Sequence, residues 1–272
     1  MSNFVATHGV LDIHALPALE SNYIWTIVNT HTRHVTIIDP GDAEVVEKWL
    51  SRQAEPLTLT TVIITHHHHD HTGGVAALVD LHPELTVYGP NDVDSVTAPL
   101  HDHDSFEVLG QSALTIATPA HTLDHLCYLI TPKENSAKPI LITGDTLFMA
   151  GCGRLFEGTA EQMLRNMERF AALPPEVTVY AGHEYTLSNL AFAHAVEPNN
   201  TAVHEAKARA SAARNEGRAT LPSSIGQERL INPFMRTHET AVIQAVRHHT
   251  QQPELEHPVE VLAALRHWKD TF

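Results

Sequence analysis

Cysteine is scarce in this 272-residue chain: Cys127 and Cys152 are its two, and no Cys-x-x-Cys spacing occurs. That excludes a disulfide scaffold and a thiolate zinc site, and leaves two buried thiols as the expectation. Basic residues are also few, 17 Lys and Arg against 32 Asp and Glu, for a formal charge of −15. Such a balance repels a phosphate backbone, so nucleic acid is excluded as a default partner, although a local basic pocket is not. No hydrophobic run approaches the length of a membrane span, and no Lys or Arg precedes Arg33. Neither a membrane partner nor a secretory signal is therefore expected, and a soluble cytoplasmic protein is the simplest reading. With 43% hydrophobic and 18% charged residues, the chain can bury a core as one large domain or two moderate ones.

What the chain has in excess is histidine. Of its 22 histidines, a dense internal run falls at residues 65–71, Thr-His-His-His-His-Asp-His, with His66, His68, Asp70 and His71 at H-x-H-x-D-H spacing. Neutral imidazoles and a carboxylate are the donors that borderline divalent metals such as zinc, iron or manganese accept. Residues two apart on an extended segment point the same way, so His66 and His68 can grip one ion. Asp70 and His71 come from the next turn of chain and can serve a second. A purification tag sits at a terminus, and a solvated histidine tract would not follow Val62-Ile63-Ile64 or lead into Val75-Ala76-Ala77-Leu78-Val79. Most other histidines, including His14, His34, His101, His194, His248 and His267, carry no partner pattern and read as surface or packing residues.

Several short apolar runs each end in a turn bearing one ligand-type residue. Val62–Ile64 leads to the histidine run, Leu114–Ala117 to His121, Ile140–Ile142 to Asp145, and Val177–Tyr180 to His183. Read as strands sharing an edge, they bring those groups to one set of loops. Upstream, Tyr23–Val28 and His34–Ile38 read as strands, the second closing on Asp39-Pro40-Gly41-Asp42, a turn from which Asp39 can brace the metal loops. Helical spacing is expected over 43–50, 74–81 and 159–173, with Thr159 as an N-cap. Strands alternating with helices mean an α/β core. Beyond Tyr185 only helical spacing is evident, over 188–196, 202–216, 240–249 and 259–268, with Leu221–Met235 as a long irregular connection holding Pro222, Gly226 and Pro233. The expected division is a catalytic domain over 1–185 and a helical substrate-binding domain over 186–272.

The pieces Ala18–Trp25, Asp39–Asp42, Thr65–Gly74, Thr118–Thr122, Gly144–Phe148, Gly151–Thr159, Gly182–Thr186 and Asn232–Arg236 together resemble the metallo-β-lactamase superfamily. Within it, Gly-Cys-Gly-Arg at 151–154, His-Glu-Tyr-Thr at 183–186 and the helical C-terminal part resemble the glyoxalase II, or hydroxyacylglutathione hydrolase, family. The resemblance implies an α/β fold, an αββα sandwich followed by an all-helical domain. It implies two divalent ions, zinc first with iron or manganese as alternatives: His66, His68 and His121 on one, Asp70, His71 and His183 on the other, Asp145 bridging. It implies a glutathione thioester as substrate, S-D-lactoylglutathione, held by Arg154, Tyr185 and Arg236, in a monomer that detoxifies methylglyoxal. Two ions supply hydroxide at neutral pH, so the protein needs no nucleophile of its own, and Asp70 or Asp145 can orient the water or take its proton.

Three positions depart from the family pattern. Ala120 and Asp124 stand where glycine is common, and Phe156 where many relatives have tyrosine. Asp124 adds a carboxylate that either faces away or hydrogen-bonds a ligand histidine. Other hydrolases of the fold, acting on a lactone, another thioester or a phosphodiester, and a mononuclear-iron persulfide dioxygenase are the competing readings. A non-catalytic protein on the same fold is a further one.

Overall fold

The computed structural model describes residues 4–272. The chain runs through β1 (Phe4–His8), β2 (Leu11–Ala18), β3 (Asn22–Asn29) and β4 (His34–Ile38), then α1 (Ala43–Leu50), β5 (Thr58–Ile63), α2 (His69–Thr72), α3 (Val75–Leu81), β6 (Thr86–Gly89) and β7 (Ala98–Pro99). It continues as β8 (Ser105–Val108), β9 (Gln111–Ala117), β10 (Leu126–Thr131) and β11 (Ile140–Gly144), leaves through the short hairpin β12 (Leu147–Phe148) and β13 (Gly151–Cys152) and the helix α4 (Ala160–Ala171), and returns as β14 (Thr178–Ala181). The remainder is α5 (Thr186–Val196), α6 (Thr201–Asn215), a two-residue strand β15 (Ser223–Ser224), α7 (Ile225–Ile231), a 3-10 turn at Pro233–Met235, α8 (Thr240–Thr250) and α9 (Pro258–Thr271).

Two compact units result. One holds the chain up to Ala117 with Asp124–Gly144 and Thr178–His183; the other holds Thr118–Leu123, Asp145–Val177 and Glu184–Phe272. The last crossing falls between His183 and Glu184, and the helical unit also takes the loop bearing His121 and the segment from Asp145 through α4. Linear order hid this, because the strand ladder keeps only the ends of those excursions.

In the first unit, β1 to β7 lie side by side in sequence order, β1–β4 antiparallel and β4–β7 parallel. β8, β9, β10 and β11 form an antiparallel meander that β14 joins in parallel beside β11. Every residue of β3 is buried, which explains its unbroken apolar run: a strand covered on both faces need not alternate. One cover is helical, Val46 of α1 with Val75 and Leu78 of α3 packing on Ile24, Val28, Val35 and Ile37. The other is the second sheet, where the Trp25 ring meets Tyr180 at 4.8 Å and its Nε1 donates to the Ala181 carbonyl at 2.8 Å. This is the sheet-on-sheet α/β arrangement the resemblance implies, with helices after residue 185.

Local signals account for most elements. Asp42 caps α1 by accepting from Glu44 N and Val45 N, and Thr159 with Gln162 forms a capping box at the start of α4. Where an irregular connection was expected over Leu221–Met235, the structure has α7, capped by Ser224, and the 3-10 turn. Gly226 is what misled: it lies inside the helix because a Cβ there would press on Pro175 at 3.1 Å. Among the described residues, no helix is long and apolar enough to cross a membrane. Both cysteines are buried thiols, as expected, and burial pushes the Cys152 thiol up to about 11.

Candidate metal centre

The segment from the end of β5 through α2 carries His66, His68, Asp70 and His71, and β14 leads to His183. Nε2 of His66 stands 3.0 Å from Nδ1 of His68. Asp70, His71 and His183 form a second group, each with a ligand atom within 4.8 Å of the others; Asp70 Oδ2 is 3.3 Å from His71 Nε2 and 3.4 Å from His183 Nε2. Two donors bound tetrahedrally to one zinc at about 2.0–2.1 Å stand roughly 3.4 Å apart, so both groups have the separation an ion needs. β3 delivers His183 to its place: Tyr23 N donates to the Gly182 carbonyl at 2.8 Å, and Asn22 bridges to His183.

A further layer of hydrogen bonds aims these rings. Asp39 accepts from Thr65 N at 2.7 Å and Thr65 Oγ1 at 2.8 Å, and its Oδ2 lies 3.0 Å from Nδ1 of His71. Asp39 is thus the brace that the turn chemistry allowed. Ser21 Oγ holds His183 Nδ1 at 3.0 Å, and Asn22 Nδ2 donates to Asp70 Oδ2 at 3.0 Å. With each Nδ1 engaged, His71 and His183 present Nε2, the pattern by which metal-binding histidines are fixed in tautomer and direction. Burial pushes the Asp70 carboxyl up, but His183 and His71, with Asn22, outweigh it and hold the group far below the usual carboxylate range. It stays an anionic donor.

The second unit holds the other two expected donors. His121 Nε2 is 3.4 Å from Asp145 Oδ2, and both residues are buried. His121 Nδ1 donates to the Arg154 carbonyl at 2.9 Å, again leaving Nε2 to face the carboxylate. Gly153 makes the fit possible, since a Cβ there would collide with the Asp145 carbonyl oxygen and crowd His121 Nδ1. The hairpin between Asp145 and Arg154 is held from α7: Glu228 Oε2 accepts from Ala150 N at 2.8 Å and Asn232 Nδ2 at 3.0 Å, and Asn232 Nδ2 reaches the Gly151 carbonyl at 3.0 Å. Burial pushes the Glu228 carboxyl up to about 7.

Arg154 is also the start of a cationic face. Its guanidinium is largely exposed and lies 3.4 Å from Asp270 Oδ1, which Arg266 Nη2 approaches at 3.1 Å. Lys269 Nζ donates to Ser188 Oγ at 2.9 Å, and its pKa is lowered by burial and then by the nearby charges of Arg266 and Arg154. Tyr185 is 40% exposed, its ring edge-on to Phe148 at 5.2 Å, and the 62% exposed Phe156 lies 5.2 Å from the His121 ring.

Arg236 is placed otherwise than expected. Its Nε and Nη2 are both spent on the buried carboxylate of Glu197, at 2.8 and 2.9 Å, and its Nη1 on the Arg229 carbonyl. The cations that do stand with Arg154 are Arg266 and Lys269, which sequence reasoning passed over. They fall three apart on one face of α9, but a cation in the last turn, as Lys269 is, also suits the helix dipole, so spacing alone does not single the pair out. Asp124 meets neither expectation: it bonds to His67, between the two expected ligands, at both the backbone and the ring.

Residues 20–183 match the family model described as the metallo-beta-lactamase superfamily, and residues 184–272 the one described as the hydroxyacylglutathione hydrolase C-terminus. A hydroxyacylglutathione hydrolase of Pseudomonas putida is 47% identical over 265 residues, 97% of this chain and 100% of that protein. One from Vibrio cholerae is 42% identical over the same share of both. Among solved structures, ETHE1 from Myxococcus xanthus superposes with a TM-score of 0.62 at 27% identity, covering 95% of this chain and 98% of that one. The B3 metallo-beta-lactamase BLEG-1 gives 0.59 at 21% identity over 83% of this chain and 99% of its own, a likeness of fold alone.

Proposed function

Because the chain belongs to the hydroxyacylglutathione hydrolases of the metallo-β-lactamase superfamily, we propose that it is a metal-dependent thioesterase cleaving S-D-lactoylglutathione to glutathione and D-lactate, a step of methylglyoxal detoxification. One observation carries the reading: Arg154 joins donor to recognition face, its carbonyl on His121 and its guanidinium among the cations of α9. Glutathione brings two carboxylates, and a chain of charge −15 has reason to gather cations only where an anion must be held.

The donor chemistry fits divalent metal: His66, His68 and His121 would hold one ion and Asp70, His71 and His183 a second, with Asp145 as a further carboxylate donor. Zinc is the first choice, and iron or manganese suit the same nitrogen and oxygen atoms. Such ions, when bound, would lower the pKa of water and polarise the thioester carbonyl. Asp70, anionic and steered by Asn22, orients the attacking water and takes its proton. A thiol of ordinary pKa near 8.5 leaves as thiolate, so no side chain is needed as general acid. Arg154 and Lys269 bind the glutathione carboxylates, Tyr185 its peptide, and Arg266 positions Asp270 from below; Arg236 serves Glu197 instead. A cytoplasmic monomer belongs to the same reading, since glutathione and free thiols both mark a reducing compartment.

The competing hydrolases share the metal donors and differ in what they must recognise, and the match over 184–272 favours glutathione. The test is turnover of S-D-lactoylglutathione by purified protein beside a lactone and a phosphodiester, with metal content measured per chain. Thioester cleavage that a chelator abolishes and zinc restores is expected. A fully metallated enzyme that leaves the thioester intact overturns the reading.

A further inference from the structure

We propose that Asp124 is a positioning residue that sets the direction of the His66 and His68 side chains by clamping the residue between them. The inference rests on the two-metal reading above and extends it to a residue outside the donor set.

Three consecutive residues leading into β10, Asp124 to Leu126, address three consecutive residues of the histidine loop. Leu126 N donates to the Thr65 carbonyl at 2.8 Å. The buried His125 ring stacks on the His66 ring, centroids 4.8 Å apart and planes 24° apart. Asp124 then takes His67 twice: Oδ2 accepts from the backbone N–H at 3.1 Å, and Oδ1 lies 2.9 Å from Nδ1 of the ring. The carboxylate is 7% exposed while the His67 side chain is 41% exposed.

The chain bends at Thr65 and at His67, and this sets the His66 and His68 rings against each other, centroids 4.7 Å apart, while the half-exposed His67 ring lies edge-on to His68 at 5.1 Å and turns to Asp124. A carboxylate that grips both backbone and ring of His67 fixes that bend and with it the two rings on either side. A slip of the loop by one residue would carry both imidazoles away from an ion, and Asp124 opposes it without touching either. A surface ion pair of two mobile side chains contributes little. Here the anion is enclosed, and one of its two bonds is to main chain.

The first test needs no metal. In chelator-stripped protein, the His67 amide should exchange about 10-fold faster in Asp124→Ala than in the wild type, the size of one charge-assisted hydrogen bond; unchanged exchange overturns the clamp. The second is zinc competition against a chromogenic chelator. In a His183→Ala background, which leaves one binding event to the His66 and His68 group, Asp124→Ala should weaken binding about 10-fold, with Asp124→Asn intermediate. In a His68→Ala background the remaining event should not move. Equal affinity with and without Asp124 in the first background overturns the proposal, as does an equal loss in both. Wild-type protein that binds fewer than two ions sinks the two-metal reading instead, and the exchange measurement still decides for or against the clamp.

Discussion

Asp39 and Asp270 each gather several polar groups around one carboxylate, and the two do it under opposite conditions. Asp39 is buried and accepts from a backbone N–H, a hydroxyl and the ring of His71, all at 3.0 Å or less. Asp270 is 39% exposed and is approached by the guanidinium groups of Arg154 and Arg266, at 3.4 and 3.1 Å. In the dry setting every bond is short and each partner is fixed, which suits groups that must hold their aim without rearrangement. In the wet setting the contacts are longer and screened, so an incoming carboxylate can replace Asp270 as partner at small cost. Rigid donors and exchangeable cations are therefore different uses of the same side chain.

The contrast is broken most severely from the rigid end. Asp70→Ala removes a donor together with the acceptor for Asn22, and kcat/KM is expected to fall about 1,000-fold with loss of one metal per chain, read by steady-state kinetics and elemental analysis. If instead only KM moves, Asp70 belongs with the exchangeable groups. Arg236→Ala comes next. It leaves Glu197 buried and unpaired at 5% exposure, so unfolding free energy should drop by about 2–4 kcal/mol with KM for the thioester little changed. A large rise in KM at unaltered stability would return Arg236 to the substrate.

Glu228 sharpens the comparison, because it is a buried brace within the helical unit. Its folded-state pKa is raised to about 7 from 4.5, so the folded protein holds this proton more tightly than the unfolded chain. The group's stabilising share is complete below about pH 4.5 and is lost as pH climbs to about 7. Relative to Glu228→Gln, the wild type should lose up to about 3 kcal/mol across that window in chemical unfolding, and a parallel pH dependence of the two proteins refutes the assignment. The smallest effect is expected from the exposed end: Lys269→Ala should raise KM about 10-fold with kcat nearly constant, and added salt should shrink the difference.

The residues that sequence reading found are those whose roles are set by neighbours in the chain. His66, His68, Asp70 and His71 share one heptapeptide, and the runs ending at His121, Asp145 and His183 are apolar enough to read as buried strands. α1 and α4 announce themselves by caps within four residues. What stayed hidden depends on partners far along the chain. β2 carries Asp12, His14 and Pro17 among its apolar residues, and only its pairing along β3 shows it as a strand. Arg236 looked available because Glu197 is 39 residues away. Lys269 and Arg266 belong to a helix whose spacing marks no ligand, and only the fold brings Arg154 near them. The brace by Asp39 was half legible, since plain turn chemistry accounts for an aspartate at that place as readily as a brace does, and which histidine it would hold was not legible at all.

Gly153 has a consequence for how such a protein can diversify. With the Asp145 carbonyl and the His121 ring both against its α-carbon, that position tolerates no side chain at all. Innovation in the surrounding loop is therefore funnelled to the residues just downstream, 154 to 156, whose side chains are free to vary while the peptide under them stays frozen. A library randomised over that tripeptide should yield altered acyl or thiol preference among well-folded clones, whereas one that includes 153 should yield mostly wreckage.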